Sequence, residues 1–338
     1  MKAIAAFASL PASHELALQD LTLPAPQASG HDLLVRVEAI SVNPVDTKIR
    51  KSLPEQAQDK PRILGWDAAG VVEAVGEQVT LFRPGDRVWY AGAIQRDGSN
   101  SELQLVDERI VGRMPGTLGF AEAAALPLTA ITAWELLFDR LGLQEGAHQG
   151  ERLLIVGAAG GVGSILIQLA RTLTGLQVIA TASRPESQAW VRELGAQDVI
   201  NHHQPLTAGL AALDIAEVDY VISLNQTDRH FDEIVKALKP QGKLALIDDP
   251  EPIDVRQLKR KSISLHWELM FTRSLFATPD MIAQHRLLER VAGLVEAGRI
   301  RSTLATQPGK INAANLRHAH ALLESNATTG KVVLAGWA

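Results

Sequence analysis

A glycine-rich segment near the middle of the chain carries the residues best suited to bind a phosphate. The apolar run 153–156 leads into Gly157-Ala158-Ala159-Gly160-Gly161-Val162-Gly163-Ser164, and a helical pattern follows. In a strand–turn–helix of this kind, glycines let the backbone approach a pyrophosphate, and the helix N-terminus offers free N–H groups to the anion. Ala158 stands where the Gly-x-Gly-x-x-Gly pattern has its first glycine. The pattern predicts either a tight turn without ligand or, as we expect from its context, a dinucleotide site formed by Ala159, Gly160, Gly161, Val162, Gly163 and Ser164.

The end of the next predicted strand bears on which dinucleotide is bound. NAD sites place an Asp or Glu there, about 20 residues beyond the glycines, to hold the ribose hydroxyls. Here the strand 177–181 is followed by Ser183-Arg184-Pro185, without an acid. A guanidinium and a hydroxyl suit a 2′-phosphate. We therefore expect NADPH, held by Ser183 and Arg184; the alternative is that Arg184 is only a solvated loop residue.

Two patterns of secondary structure surround these residues. Up to about residue 115 the chain shows short alternating strands and glycine turns, which favour a β-barrel-like domain. From Glu151 strands alternate with helices, which indicates βαβ units and a parallel sheet. A helix at about 281–297 and a strand at 331–334 follow. The pattern predicts an α/β protein in which the second domain is inserted between the first domain and a short return to it.

Composition excludes several classes of protein. The chain has no cysteine, so it cannot form disulfides, a thiol nucleophile or a Cys-based zinc site. Its formal net charge is −5, which gives no electrostatic signature for nucleic acid or for an anionic membrane surface. The N-terminal apolar run is short and is predicted to be a first strand, not a signal peptide. No apolar stretch is expected to reach the ~20 residues of a membrane helix, and a cytoplasmic protein is expected.

Five motifs resemble one protein superfamily, and they span nearly the whole chain in its order. They are Val42-Asn43-Pro44-Val45-Asp46, the segments 64–72, 85–88 and 158–164, and Gly330-Lys331-Val332-Val333-Leu334. The chain is similar to zinc-free, quinone oxidoreductase-like medium-chain dehydrogenases/reductases. The resemblance implies a GroES-like β-barrel catalytic domain at 1–120, an inserted Rossmann domain at 121–268, and a return to the catalytic domain at 269–338. It also implies NAD(P)H held in a cleft between the domains.

Relatives of this superfamily that use zinc allow a test of the metal residue by residue. Their first cysteine ligand corresponds to Asn43, and their Gly-His-Glu corresponds to Gly65-Trp66-Asp67. An indole nitrogen is a donor only and cannot ligate a metal. The segment 91–100 replaces the cysteine-rich lobe that holds a structural zinc. We expect no metal, and we expect His202-His203 and the pair His318 and His320 to be surface residues.

The resemblance also implies roles for single residues. It places Asn43 and Thr132 beside the nicotinamide, and Trp66, Tyr90, Asn100 and Phe271 on the substrate side. Tyr90 is the candidate proton donor, with solvent as the alternative. His202 stands where relatives have a Tyr near the adenosine phosphate. Further positions that match cofactor-facing ones are Leu224, Asn225, Ile247 and Lys331.

These observations together predict an enzyme. We expect an NADPH-dependent oxidoreductase that transfers hydride to a quinone or an α,β-unsaturated carbonyl compound without a metal. The alternatives are a carbonyl or alcohol dehydrogenase of the same superfamily, and a non-catalytic NADPH-binding regulatory protein. The resemblance further implies a homodimer joined at a sheet edge, for which the alternating segment 262–266 is the candidate strand.

Overall fold

Two segments far apart in the chain form one unit, and the segment between them forms another. The computed structural model describes residues 1–338. Unit 1 consists of Met1–Ile131 and Phe271–Ala338, and unit 2 consists of Thr132–Met270. The resemblance places the domain divisions after residues 120 and 268, whereas the structural division after Ile131 lies inside a helix.

Sixteen strands and ten α-helices follow one another in the chain. The strands of unit 1 are β1 (Lys2–Ala6), β2 (Gln19–Thr22), β3 (Asp32–Val42), β4 (Arg62–Ile63), β5 (Ala68–Val75), β6 (Arg87–Tyr90), β7 (Leu103–Asp107), β8 (Val111–Arg113), β15 (Leu304–Ile311) and β16 (Lys331–Trp337). The strands of unit 2 are β9 (Arg152–Val156), β10 (Gln177–Thr181), β11 (Asp198–Ile200), β12 (Val218–Ser223), β13 (Leu238–Leu246) and β14 (Ser264–Trp267). The helices are α1 (Pro44–Ser52), α2 (Phe120–Ala124), α3 (Pro127–Trp134), α4 (Gly161–Leu173), α5 (Pro185–Glu193), α6 (Leu206–Ala211), α7 (Thr227–Ala237), α8 (Thr272–Leu275), α9 (Ala283–Glu296) and α10 (Ala313–Glu324).

Unit 1 is built on a seven-stranded sheet with the path β15-β16-β3-β5-β6-β8, in which β7 also pairs with β3. The predicted alternation in β3 is confirmed, because Leu33, Val35 and Val37 are buried while Arg36 between them is exposed. β16 lies between β15, to which it is parallel, and β3, to which it is antiparallel. A separate three-stranded sheet has the order β2-β1-β4.

Unit 2 is a parallel sheet of six strands in the order β11-β10-β9-β12-β13-β14. The predicted βαβ alternation is confirmed, and the strand at 177–181 has the predicted bounds. The core packs aliphatic side chains of the strands, among them Leu154, Val221 and Leu244, against α7 residues such as Ile234. The α/β fold class is therefore confirmed.

The stretch 120–140 is helical with interruptions: α2 and α3 are followed by a π-helical turn, Glu135–Arg140. By length and composition this stretch could cross a membrane, although Glu122, Glu135, Asp139 and Arg140 leave it without an uninterrupted apolar run of ~20 residues. Its apolar window is 78% buried within the fold. Since the core helix of a soluble protein passes the same test, the stretch is weak evidence for a membrane span.

Candidate nucleotide and acceptor sites

The carboxyl edge of the unit 2 sheet gathers the predicted cofactor residues. Backbone hydrogen bonds join the ends of neighbouring strands: Leu224 N donates to Val156 O at 3.1 Å, and Ala182 N donates to Ile200 O at 3.0 Å. All strands are parallel, so the residues that follow them meet at one edge, where open α/β sheets bind ligands. The residues placed there are the glycine loop 157–160, Ser183, Arg184, His202, Leu224, Asn225 and Ile247.

The glycine loop has two positions that only glycine fits. A Cβ on Gly163 would lie 2.2 Å from Ala158 O, so α4 packs directly against the turn that precedes it. Gly157 has φ +80°, and a Cβ there would lie 2.5 Å from Asn225 Oδ1. Gly160 is the N-cap of α4, whose first N–H groups therefore face this edge. The hydroxyl of Ser164 is buried and engaged within the unit, donating to Gly160 O at 2.7 Å and accepting from Trp190 Nε1 at 2.8 Å.

Ser183 and Arg184 follow β10 after one residue, Ala182, and Arg184 is the exposed N-cap of α5. His202 follows the neighbouring strand β11 and is half-buried. Its ring centre lies 4.8 Å from that of His203 and 6.3 Å from that of His230. Burial lowers the pKa of His202, and both neighbouring histidines add to the shift, so it is neutral at pH 7.

In unit 1, the side chain of Asn43 is bound at both ends by neighbouring groups. Its Oδ1 accepts from Lys331 Nζ at 2.5 Å, and its Nδ2 donates to Asp67 Oδ2 at 3.1 Å. Its backbone N–H donates to Asp46 Oδ2 at 2.8 Å. Asn43 lies between β3 and α1, where the following proline suits the first helical position. These contacts leave Oδ1 with one lone pair for a further donor.

Lys331, predicted to face the cofactor, is only 3% exposed and directs its ammonium group into unit 1. Besides Asn43 Oδ1, its Nζ has Val42 O at 2.9 Å and Asp67 Oδ2 at 3.1 Å. The other carboxyl oxygen of Asp67 accepts from Leu128 N at 2.9 Å. Burial raises the pKa of Asp67 and lowers the pKa of Lys331. The charge of each residue opposes the pKa shift of the other. Both oxygens of Asp67 accept hydrogen bonds and all three Nζ protons have acceptors, an arrangement that fits a carboxylate and an ammonium.

Two acids of this cluster were not given a role from the sequence. Asp46 is fully buried, and its Oδ1 has no hydrogen-bond partner. Burial raises its pKa to about 7 against the opposing effect of the Asn43 N–H. The signal for Asp46 was its place three residues after Asn43, the spacing of a capping pair. The signal for Asp67 was an acid within the otherwise apolar run Trp66-Asp67-Ala68-Ala69.

The residues predicted to line the substrate side are buried in unit 1. Trp66 and Phe271 pack edge to face, with ring centres 6.4 Å apart, and Trp66 Nε1 donates to Ala93 O at 3.2 Å. The Tyr90 hydroxyl and Asn100 Nδ2 are buried and have no hydrogen-bond partner. Burial raises the pKa of Tyr90, so its phenol stays protonated. Thr132 lies in α3 at the start of unit 2 and is also buried.

The residues at the metal-ligand positions do not fit a zinc site. The Trp66 indole donates to a carbonyl group and offers no lone pair. Asn43 and Asp67 direct their oxygens at the Lys331 ammonium group, so a cation of the chain itself occupies the space between them. No group of three or more His, Cys, Asp or Glu side chains is arranged to hold a metal ion.

The two histidine pairs lie in different environments. His203 and His318 are exposed as expected, and His202 is half-buried. The expectation for His320 is wrong, because this residue is fully buried and accepts from buried Arg50 Nη1 at 2.9 Å through Nδ1. His320 is buried and His318 is exposed because the face of α10 that carries His320 packs against α1.

Comparison with protein-family models matches two parts of the chain. Residues 29–135 match the alcohol dehydrogenase GroES-like domain, and residues 194–334 match the zinc-binding dehydrogenase family. A "zinc-type alcohol dehydrogenase-like protein" of Staphylococcus aureus (strain MSSA476) is 42% identical over 312 residues, 91% of this chain and 92% of the relative. The quinone oxidoreductase of Lama guanicoe is 30% identical over 320 residues, 93% of this chain and 91% of that one.

Solved structures show the same likeness over the full length. A "putative zinc-dependent alcohol dehydrogenase" from Rhizobium etli is 54% identical, with a TM-score of 0.96 over 100% of this chain and 98% of that one. A mycobacterial protein solved in complex with NADPH is 27% identical, with a TM-score of 0.82 over 99% of each chain.

Proposed function

Because the chain belongs to the medium-chain dehydrogenase/reductase superfamily of oxidoreductases, we propose that it is an NADPH-dependent reductase. Its acceptor is a quinone or an α,β-unsaturated carbonyl compound. One hydride from NADPH and one proton reduce the enone, the hydride adding at the β-carbon; a quinone becomes a hydroquinone by the same balance. NADP⁺ is the second product. We propose that the protein acts in the cytoplasm.

The observation that carries this proposal is the pair Ser183 and Arg184 in the turn between β10 and α5. At this place a nucleotide site meets the adenosine ribose. A guanidinium at an exposed helix N-terminus can bind a phosphate dianion through two parallel hydrogen bonds, whereas a free ribose hydroxyl lacks its carboxylate acceptor. The mycobacterial relative solved with NADPH supports the same choice of cofactor.

Two buried donors support the proposal for the acceptor. The Tyr90 hydroxyl and Asn100 Nδ2 have no partner in the protein, and an unsatisfied buried donor costs roughly 1–3 kcal/mol. A carbonyl oxygen of a bound acceptor would satisfy such a donor, and Trp66 and Phe271 offer aromatic surface to a flat, conjugated molecule. The quinone oxidoreductase among the relatives supports this class of acceptor.

In this mechanism the chain supplies position and hydrogen bonds, and NADPH supplies the hydride when bound. Asn43, held at both ends, presents one lone pair of Oδ1 as a fixed acceptor, and we propose that this acceptor orients the nicotinamide. Tyr90, whose phenol stays protonated, stabilises the developing oxyanion and is the candidate proton donor; solvent is the alternative. The apolar, buried surroundings strengthen these interactions. No step uses zinc.

A carbonyl or alcohol dehydrogenase is the second candidate, favoured by the names of the staphylococcal and rhizobial relatives. A non-catalytic NADPH-binding protein is the third. The test is the loss of NADPH absorbance with a panel of quinones, enones and simple aldehydes, repeated with NADH. We expect turnover with quinones or enones. Turnover with aldehydes alone would select the second candidate, and no turnover despite NADPH binding would select the third.

A further inference from the structure

The buried ammonium group of Lys331 occupies the centre of an oxygen-lined position in unit 1. Its three acceptors come from three separate places in the chain: the β3 end at Val42, the start of α1 at Asn43, and Asp67 before β5. Lys331 itself begins β16. A lysine buried to this degree is rare unless it is paired. The three acceptors match the three protons of the ammonium group.

Asn43 and Asp67 both direct oxygen atoms at the Lys331 ammonium group. Amide and carboxylate oxygens are the acceptors that an ammonium group prefers. A further acid, Asp46, lies one hydrogen bond away through the Asn43 backbone.

We propose that Lys331 is a positioning residue whose buried ammonium group fixes the orientation of the Asn43 amide. The hydrogen bond from the Lys331 ammonium group to Oδ1 directs Nδ2 toward Asp67. The Asn43 amide therefore cannot rotate by 180° without losing both hydrogen bonds. Removing the lysine side chain then leaves an anionic cavity that accepts a primary alkylammonium ion. This proposal rests on the proposed function only for its effect on turnover.

Chemical rescue tests the cation without any need for turnover. Lys331→Ala retains Cβ, so propylammonium supplies the missing three carbons and the ammonium group. We expect the variant to lose roughly 5–15 °C in melting temperature, as a buried carboxylate without its partner should. Propylammonium should restore more than half of the loss with saturable dependence, at constant ionic strength. Exposed Lys310→Ala is the matched control and should respond to neither change.

Propan-1-ol separates charge from volume, because it has the same length and no charge. Rescue by propan-1-ol equal to that by propylammonium, or no rescue by the amine, would overturn the proposal. Should Lys331→Ala fail to fold, the double variant Lys331→Met with Asp67→Asn is the alternative, since it removes the ammonium group together with the carboxylate that pairs with it.

Turnover kinetics test the positioning of Asn43. In the double variant we expect kcat to fall at least tenfold while the KM for NADPH changes less than twofold. In an Asn43→Ala background the same double change should alter kcat less than threefold, because the amide it positions is gone. An undiminished effect in that background would refute positioning through Asn43. If no acceptor is turned over by the wild-type protein, the proposed function fails, while the rescue experiment still decides on the cation.

Discussion

The side chain of Asn100 lies against the α-carbon of Gly65, so a Cβ added to Gly65 would sit 2.5 Å from Asn100 Oδ1 and 2.6 Å from Ser99 Oγ. Gly65 also has φ +107°, a conformation that other residues rarely adopt. The backbone at Gly65 and the amide at Asn100 are therefore fitted to each other. This relation links the stability of unit 1 to the orientation of a proposed acceptor contact.

Gly65→Ala should lower the free energy of unfolding by at least the ~1–3 kcal/mol of a strained backbone and should raise the KM for the acceptor. Gly85→Ala is the matched control, because Gly85 has φ +95° but nothing within 4 Å of its added Cβ. It should be destabilised by strain and keep the acceptor KM. Chemical denaturation and steady-state kinetics measure both effects; an equal KM change in the two variants would contradict the role of Asn100.

Arg184→Ala should weaken NADPH binding about 10- to 150-fold, the equivalent of a charge-assisted contact of roughly 1.5–3 kcal/mol. NADH binding should hardly change, because NADH lacks the 2′-phosphate. Arg192, exposed in the last turn of the same helix, provides the control Arg192→Ala. Fluorescence titration of the three proteins with both cofactors measures the six affinities. Equal wild-type affinities for NADPH and NADH would withdraw the cofactor proposal.

Purified protein should contain well under one zinc per chain, and a strong chelator should leave its activity intact. The reason is that Asn43 and Asp67 are bound to Lys331 while the Trp66 indole has no lone pair to offer. Elemental analysis and activity after chelator treatment check this. Stoichiometric zinc together with chelator-sensitive turnover is the result that rules it out.

We expect a homodimer joined through β14, which pairs with β13 on one side and forms the edge of its sheet. Trp267 in this strand is 54% exposed. A large apolar side chain exposed at a free sheet edge favours association with another chain. Trp267→Lys should shift the light-scattering mass toward one chain. Leu16→Lys, at a residue 49% exposed in unit 1, should leave the mass unchanged. A wild-type monomer near 36.5 kDa would exclude the dimer.

Stability should fall on acidification because of His320. Burial lowers the pKa of this histidine to about 3, and nearby Arg50 adds to the shift. An unfolded histidine titrates near 6.5, so the unfolded chain takes up the proton first. The contribution of neutral His320 to the free energy of unfolding is complete above pH 6.5. It declines by at most about 1.4 kcal/mol per pH unit between pH 6.5 and 3.

His320→Asn keeps an acceptor for Arg50 and removes the titration, so its unfolding free energy should depend less steeply on pH over that range. His318→Gln, at an exposed residue of the same helix, should retain the wild-type dependence. Urea denaturation at several pH values compares the three proteins. Identical slopes for His320→Asn and wild type would show that other groups control the acid sensitivity.

Local patterns made the strand–turn–helix structure of the candidate nucleotide site largely predictable. Gly157 to Ser164 and the strand ends at Ser183 and Arg184 follow from periodicity and turn chemistry, because each involves neighbours in the sequence. Tertiary pairing was not predictable in this way. Lys331 and Asp67 lie far apart in the chain, and nothing in the residues around either shows that one compensates the charge of the other. The burial of His320 depends likewise on which face of α10 packs against α1.

The position of β16 between β3 and β15 has a consequence for synthesis of the protein. Unit 2 is continuous in the chain, so a nascent polypeptide can complete it while still attached to the ribosome. The sheet of unit 1 cannot be completed until residues 331–337 have been made, because β3 lacks its partner β16 until then. Lys331 arrives with the same strand, so premature termination anywhere before it leaves an open sheet edge and an uncompensated carboxylate together. Such products should be recognised readily by chaperones and proteases.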